Sequence, residues 1–430
     1  MQPSIWLLLI GSIVSLTAWE PYMHDLYIDD RGYLQQQEFT TRWSGFLRND
    51  LFVNSRQMLD FGLNTFSTIP LEPLGDPLGC DINDVGSFVM TPLRSYIRLD
   101  AWGVQCGRFQ LHTAYQIDFL GLTDQTASTI RIWNAYMDLF TDTDRLIIGL
   151  YRHPFRVLRT FPRTLSFNIA AIAVAPQFRW WHSFTEHVQC MAVLYGQLLF
   201  TDFGQLGLNT PIVSSPEFIQ NSGKPGVAFR LQYSNDLFLV GAGIEALQLV
   251  PRLQTAQGYA TSQSVTAVNG TLYASLDAQD IWLKLQLFLG QDMASTSLVG
   301  GYALANCNPD TNVCQYAPIP SLSLWFDAEW RKHALLHPGF FLGWSKQLPA
   351  REQLYISPAT QQPVFYGLTA RLQEVLRVAQ RWTLDTEPVR FGIEYEFLRA
   401  VWGPMNNRGT TNAPCPVNGG RFLFVSWCDF

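Results

Sequence analysis

Read two residues at a time, the stretch Arg94–Phe119 separates into an apolar and a charged face. Leu93, Ser95, Ile97, Leu99 and Ala101 fall on one side, and Arg94, Tyr96, Arg98 and Asp100 on the other. After a break at Gly103–Gly107 the alternation resumes. Phe109, Leu111, Thr113, Tyr115, Ile117 and Phe119 now oppose Arg108, Gln110, His112, Gln116 and Asp118. A period of two is a strand signal, and two such strands around a glycine-containing break predict a hairpin. Each arm is about as long as the roughly 9–11 residues that a tilted strand needs to cross a bilayer. One lipid-like face and one charged face is the pattern of a transmembrane barrel wall.

The same alternation recurs along the chain. A first strand is expected near Arg42–Arg56, with Trp43, Leu47, Leu51 and Val53 opposite Arg48, Asp50, Asn54 and Arg56. An irregular segment rich in Pro, Gly and Asp, Gln57–Met90, precedes the hairpin above. A loop over Gly121–Ser128 follows it. Further strands are expected at Ile130–Phe140, Leu146–Arg152, Pro176–Ser183, Val188–Phe200, Gly226–Ser234, Leu237–Val250, Thr266–Leu276 and Ile281–Leu289. Others fall at Ser321–Trp330, Gly339–Ser345, Leu368–Trp382, Arg390–Trp402 and Arg421–Phe430. Asn235-Asp236 between two of these runs is a two-residue hairpin signal. Long and short connections alternate, long after odd strands and short after even ones. Outer-membrane barrels sort their connections in this way, and a full closed barrel leaves no unpaired edge, as a membrane requires. The expectation is an all-β, closed, antiparallel up-and-down transmembrane β-barrel of about sixteen strands over residues 41–430. Its short turns face the periplasm and its long loops face outward.

Composition agrees. Charged residues are 15% of the chain, aromatics 14%, and mean hydropathy is +0.03. A net charge of −6 argues against nucleic acid as a general partner. Met1–Trp19 contains a short apolar core, Ile5–Ala18, with a small residue at Ala18 and no Lys or Arg before it. This predicts a signal peptide over 1–18 and a short N-terminal periplasmic segment over 19–40. No other run approaches the ~18 apolar residues of a membrane helix.

Seven cysteines imply an oxidising compartment, and the odd number leaves at least one unpaired. Cys307 and Cys314 flank a turn-rich N-P-D-T-N-V and are expected to pair. Cys80 and Cys415 fall in the first and last outer loops, beside neighbouring strands of a closed barrel, so a second bridge is expected there. Cys415 and Cys428 bracket the last strand, roughly 40 Å apart at ~3.3 Å per residue, beyond disulfide reach. Cys106, Cys190 and Cys428 stay unassigned.

Several stretches in order carry a resemblance: L-R-S-Y-I-R-L with A-Y-Q-I-D-F-L-G, I-I-G-L-Y-R-H-P-F, L-S-F-N-I with A-P-Q-F-R, V-G-A-G-I-E with V-P-R-L, F-L-G-Q-D with L-V-G-G-Y, F-G-I-E-Y-E-F, and the terminal aromatic. From about Trp43 to Phe430 the chain resembles the porin-like outer-membrane β-barrel family of Bacteroidota and related diderm bacteria, and more distantly the DcaP-type trimeric porins. Arg152 stands where that family tends to have an aromatic. The resemblance implies a barrel integral to the outer membrane, in contact with its lipid, and a homotrimer. Phe430, on a face with Phe422 and Phe424, resembles the signal read by the outer-membrane assembly machinery.

A barrel of this strand number encloses an aqueous pore, whose selectivity is set by side chains at its narrowest point. By analogy with porins whose third loop folds inward, that point is the long connection His153–Ala175, carrying Arg156, Arg159 and Arg163 with Arg152 beside it. The wall offers Arg48, Arg94, Arg98, Arg108, Arg131 and His112, with Asp50, Asp100 and Asp118 opposed. Arginine dominates this set although the chain is acidic. The function expected is passive diffusion of small hydrophilic, anionic solutes. The plainer alternative for the wall is that Arg and Asp pair across strands simply to neutralise it, and for the loop that its arginines are solvated outside the barrel. Two other classes stay open: a sealed barrel acting as a receptor or structural protein, and a barrel lipid hydrolase. Seven scattered histidines, with neither H-E-x-x-H nor a CxxC pair, give no support to an enzyme or a cofactor.

Overall fold

The computed structural model describes residues 39–59, 69–123, 127–165, 173–199, 201–205, 211–292, 299–332, 335–368 and 371–430. The expected signal peptide and almost all of the N-terminal segment lie outside them. The chain forms a closed antiparallel barrel of sixteen strands with almost no helix. The first eight wall strands are β1 (Thr40–Asn54), β2 (Tyr96–Cys106), β3 (Phe109–Thr123), β4 (Ala127–Phe140), β5 (Asp144–Arg152), β6 (Val174–Ser183), β7 (Val188–Tyr195) and β8 (Gly226–Ser234). The second eight are β9 (Phe238–Leu249), β10 (Val265–Asp277), β11 (Ile281–Gln291), β12 (Cys314–Trp330), β13 (Leu336–Gln347), β14 (Leu372–Thr386), β15 (Val389–Trp402) and β16 (Cys415–Asp429). Each pairs with the next, and β1 pairs with β16 from Phe46↔Asp429 to Asn54↔Arg421, which closes the cylinder. Gly45 and the terminal Phe430 complete the seam by exchanging two backbone hydrogen bonds of 3.0 Å.

The pattern of burial is inverted relative to a water-soluble protein. Leu47, Leu272 and Leu289 are 61%, 57% and 53% exposed, whereas Asp50, Asp327, Arg377 and Glu394 are fully buried. Apolar side chains point outward along each strand and charged ones inward. Only a hydrocarbon solvent makes the first half of that arrangement favourable. In β11, Leu285 and Leu289 face out, and Lys284, Gln286 and Phe288 face in.

Among the strand boundaries that differ from the sequence expectation, such as Val188–Phe200 ending at Tyr195 and the strands from Ser321 and Arg421 beginning at Cys314 and Cys415, three differ for local reasons. The alternation begun at Leu93 is interrupted: residues 92–95 form a turn, with the Ser95 N–H donating to the Pro92 carbonyl at 3.1 Å. Proline brings no N–H to a ladder, so the second wall strand is built from two pieces. Ser87–Thr91 pairs with the upper half of β1, and β2 pairs with its lower half. The expected break at Gly103–Gly107 is instead a register shift between Ala101 and Val104 inside β2. A bulge absorbs Gly103, and the turn moves to Gly107-Arg108. The expected loop over Gly121–Ser128 is also too long, since β3 runs to Thr123 and β4 begins at Ala127.

The outer loops fold on one another. Between β11 and β12, Gly301–Cys307 pairs with the outer end of β12, and Phe365–Tyr366, between β13 and β14, pairs with it in turn. Cys307 and Cys314 lie opposite each other in that ladder and are disulfide-bonded. The expected Cys80–Cys415 bridge is not formed, and both thiols are free. Cys415 is the first residue of β16, paired with Trp402. Cys80 is held at the exposed tip of the connection from β1 to Ser87–Thr91 by its N–H to Asp76 Oδ1 at 2.7 Å. Within that loop Asp81 accepts N–H groups from Leu74 and Asn83, each at 2.9 Å, and a guanidinium N–H of Arg56. The Leu74 hydrogen bond is the largest influence holding its carboxyl below the usual range.

Candidate functional site

The site is the lumen and the loop that enters it. After Arg152 the chain turns inward, because His153–Leu165 carries its own apolar residues and buries them against the inner wall. Phe155 and the partly buried Phe161 join Phe288, Trp325, Phe341 and Ala379 in one cluster, and Leu165 joins Phe52, Leu423 and Val425 in another. Hydrogen bonds then tie the loop to five strands across the lumen. Arg230 of β8 donates to the Pro154 carbonyl at 2.8 Å. In β11, Gln286 donates to the Phe155 carbonyl at 2.9 Å and Lys284 to the Phe161 carbonyl at 2.8 Å. In β12, Asp327 accepts the Arg163 N–H at 3.1 Å. In β15, Glu394 accepts the Leu165 N–H at 2.8 Å. Arg48 of β1, together with Arg94 at the 92–95 turn, donates to the Leu165 carbonyl. Arg159 reaches farthest, donating to the Asn235 carbonyl in the β8–β9 turn at 2.8 Å. The loop arginines are thus inside the barrel, and the alternative of a loop solvated outside it does not hold for the described part of loop 3.

The wall beneath that tether is dense with ion pairs. Arg381 contacts Asp327 at 2.6 Å and Glu329 at 3.3 Å, and Arg377 contacts Glu394 at 3.2 Å and Glu396 at 2.5 Å. Arg163 completes the group by contacting Glu329 at 3.1 Å. None of Arg377, Arg381, Glu394, Glu396, Asp327 or Glu329 was singled out from sequence. The signal was present, as each sits at an inward position of a regular period-two run, but charge in an alternating strand does not say which residues a distant loop will touch.

On the opposite side the lumen holds a cavity. This cavity, of about 660 Å³, lies between the inner face of loop 3 and β2–β9, reaching the turn residues 141–145 at the periplasmic end. It is lined by Trp102, His112 and Tyr151 among others, and by six arginines, Arg145, Arg152, Arg156, Arg159, Arg179 and Arg230, against three aspartates, Asp138, Asp142 and Asp144.

The arginines of the lumen divide by partner. In the first hairpin and its neighbours each has a carboxylate. Arg48 and Arg94 share Asp50 at 2.7 and 3.5 Å, Arg98 holds Asp100 at 2.6 Å, and Arg131 holds Asp118 at 2.6 Å. His112 lies 2.7 Å from Asp100 and stacks on Trp102. Arg108 is carried out of the wall into the β2–β3 turn, exposed, over the Phe109 ring at 5.2 Å. In the cavity Arg145 pairs with Asp138 at 2.6 Å. Arg179 donates to Gln177 Oε1 at 2.9 Å and the Arg152 carbonyl at 2.6 Å, with the Tyr151 ring 4.9 Å away. Arg230 donates to the Pro154 carbonyl, Gln232 Oε1 and the Tyr273 hydroxyl, at 2.8, 3.0 and 3.2 Å. Arg156 lies over Phe161 at 4.3 Å and Arg152 over Tyr151 at 5.7 Å. Neutral oxygens and ring faces fix the direction of a guanidinium without cancelling its charge. Arg179 and Arg230 were not among the residues picked from sequence, although both lie at inward positions of β6 and β8.

Solved structures give this architecture a place. The chain is similar to the outer-membrane channel DcaP of Acinetobacter baumannii (TM-score 0.66, 11% identity, 94% of this chain and 99% of that one). It is also similar to the outer-membrane protein OmpT of Vibrio cholerae (TM-score 0.54, 10% identity, 94% and 100%). A third similar structure is the anion-selective porin from Comamonas acidovorans (TM-score 0.52, 10% identity, 91% and 100%). The fold is therefore that of the outer-membrane porin-type barrels, a likeness of architecture at these identities. No protein-family model matches the chain, so the likeness to the Bacteroidota family stays one of motifs. No curated protein matches it either.

Proposed function

We propose that the chain is an integral outer-membrane channel that passes small hydrophilic anions by diffusion. The observation that carries this reading is the cavity beside loop 3, where Arg159, Arg179 and Arg230 are oriented by neutral oxygens. A unit charge 5 Å from a passing ion in water is worth about 0.8 kcal/mol before screening, enough to change local occupancy roughly fourfold. Several such groups aimed into one passage favour anions without binding them tightly. A similar fold belongs to a porin described as anion-selective, which supports the reading.

In this reading the mature chain follows removal of residues 1–18, and the outer-membrane assembly machinery takes up the barrel through Phe430. The protein works without a cofactor, is not an enzyme, and assembles as a homotrimer; OmpT of Vibrio cholerae has been solved in a trimer form. A sealed barrel serving as a receptor or structural protein is the second reading, favoured by the tethering of loop 3 to five strands. Single-channel recording in planar bilayers separates them. Discrete, ohmic conductance steps from the purified, refolded protein are expected. A current that stays flat while insertion is confirmed by protease protection selects the sealed barrel.

A further inference from the structure

The outward positions of the wall are apolar over most of its height. On β15 they read Phe391, Ile393, Tyr395 and Phe397, which are 37%, 40%, 54% and 39% exposed. The next outward position on that face is Arg399, also exposed. At ~3.3 Å per residue and a tilt of about 40°, the run from Val389 to Arg399 rises about 25 Å, the height of the apolar band. Arg399 therefore stands at the outer boundary of the hydrocarbon, level with lipid headgroups. The same height on β9, β10 and β11 is taken by Gln248, Thr266 and Gln291, which carry no charge.

The neighbours of Arg399 make a polar field on the outside of the barrel. Asn418 of β16 lies directly opposite it in the ladder and is exposed on the same face. Among the described residues neither of these two side chains has a hydrogen-bond or ion-pair partner. Toward β14, Arg399 lies opposite Leu376, and Glu374 is the next outward position above. Glu374 is engaged from the other side. Lys346 of β13 pairs with it at 3.4 Å, and the Trp344 indole N–H donates to it at 3.0 Å. The field thus keeps one uncompensated positive charge, that of Arg399. Directly opposite side chains on adjacent strands have Cβ atoms ~4.5–5.5 Å apart, so one tetrahedral anion takes donors from Arg399 and Asn418 together. A guanidinium offers two parallel N–H donors to such an anion.

We propose that Arg399 and Asn418 form an external site for the phosphate group of an outer-leaflet lipid. Depth selects a lipid over a free anion. Below Arg399 the wall faces hydrocarbon, and the phosphates of a bilayer lie at its level with acyl chains attached. Tyr395, Phe397 and Phe424, all exposed, give those chains an apolar surface directly beneath the headgroup. The inference rests on the barrel lying in an outer membrane, as in the reading above, and not on whether the lumen conducts.

Native mass spectrometry of the refolded full chain in detergent tests it, with bisphosphorylated lipid A as the probe. The wild-type protein is expected to retain this lipid in preference to its dephosphorylated form. Arg399→Gln combined with Asn418→Ala should lower occupancy by bisphosphorylated lipid A roughly fivefold, the share that one surface cation contributes at a charged bilayer. Binding of the dephosphorylated form should not change. Arg399→Lys keeps the charge and should keep most of the preference. Gln248→Ala, at the same height on β9, should leave it at the wild-type value. Heat-modifiable migration on gels checks that each variant has folded. Equal losses of the phosphorylated and dephosphorylated lipids would reveal acyl-chain packing alone and overturn the site. Unchanged occupancy in the double variant, or full displacement of the lipid by millimolar inorganic phosphate, would also overturn it. A conducting channel whose lipid occupancy ignores Arg399 would sink this proposal and leave the channel reading intact. A silent barrel that keeps the phosphate preference would do the reverse.

Discussion

Arg98 and Arg230 bring the same charge into the same lumen with different consequences. Arg98 lies 2.6 Å from Asp100, so its field at the pore axis is largely cancelled. Arg230 is buried and held by a carbonyl, an amide oxygen and a phenol, which leave its charge uncancelled and, in the proposed channel, free to act on a passing ion. The expectation is therefore asymmetric. Arg230→Gln should lower the anion-to-cation permeability ratio roughly twofold, as one screened charge at about 5 Å implies. Arg98→Gln should change it little or move it the other way, since it exposes Asp100. Equal effects from the two substitutions would contradict the division of the lumen arginines by partner. Sequence alone showed the arginines of the first hairpin but not this division, because whether an Arg meets a carboxylate or a carbonyl depends on residues far along the chain. Arg230 and Pro154 are separated by seventy-six positions.

At the scale of elements, loop 3 is a loop by connection and part of the core by contact. Its position follows from Phe155, Phe161 and Leu165, which have no other apolar surface to bury, and from acceptors supplied by β12 and β15. Asp327 is the point where these meet, since it accepts the Arg163 N–H and pairs with Arg381. Removing one partner of such a buried pair costs roughly 3–5 kcal/mol. Asp327→Ala should lower the urea midpoint of the refolded barrel and add rapid closures to the single-channel trace as the loop loses its anchor. A quiet trace with an unchanged midpoint would show that the tether does not hold the loop. The strands were largely legible in the sequence, because a membrane wall enforces strict alternation on both faces. The exceptions are instructive. Pro92 divided one strand, a bulge at Gly103 moved Arg108 out of the wall, and Cys415 entered β16, with its thiol and that of Cys80 both free. Each is a local departure from period two that is settled by pairing partners, and these cannot be read from one strand.

For the whole molecule, the barrel is two half-lumens. The half under β11–β16 and β1 is filled by loop 3 and its ion pairs, and the half under β2–β9 holds the arginine-lined cavity. The acidic balance of the whole chain is therefore a poor guide to its pore, because sign is set locally by which charges are paired. The measurement that bears most directly on this is the reversal potential of the wild-type protein in a planar bilayer under a tenfold KCl gradient. A zero-current potential of the sign that marks chloride as the more permeant ion, shrinking as salt is raised on both sides, is the predicted result. A potential of the opposite sign, marking potassium as the more permeant ion, would contradict it.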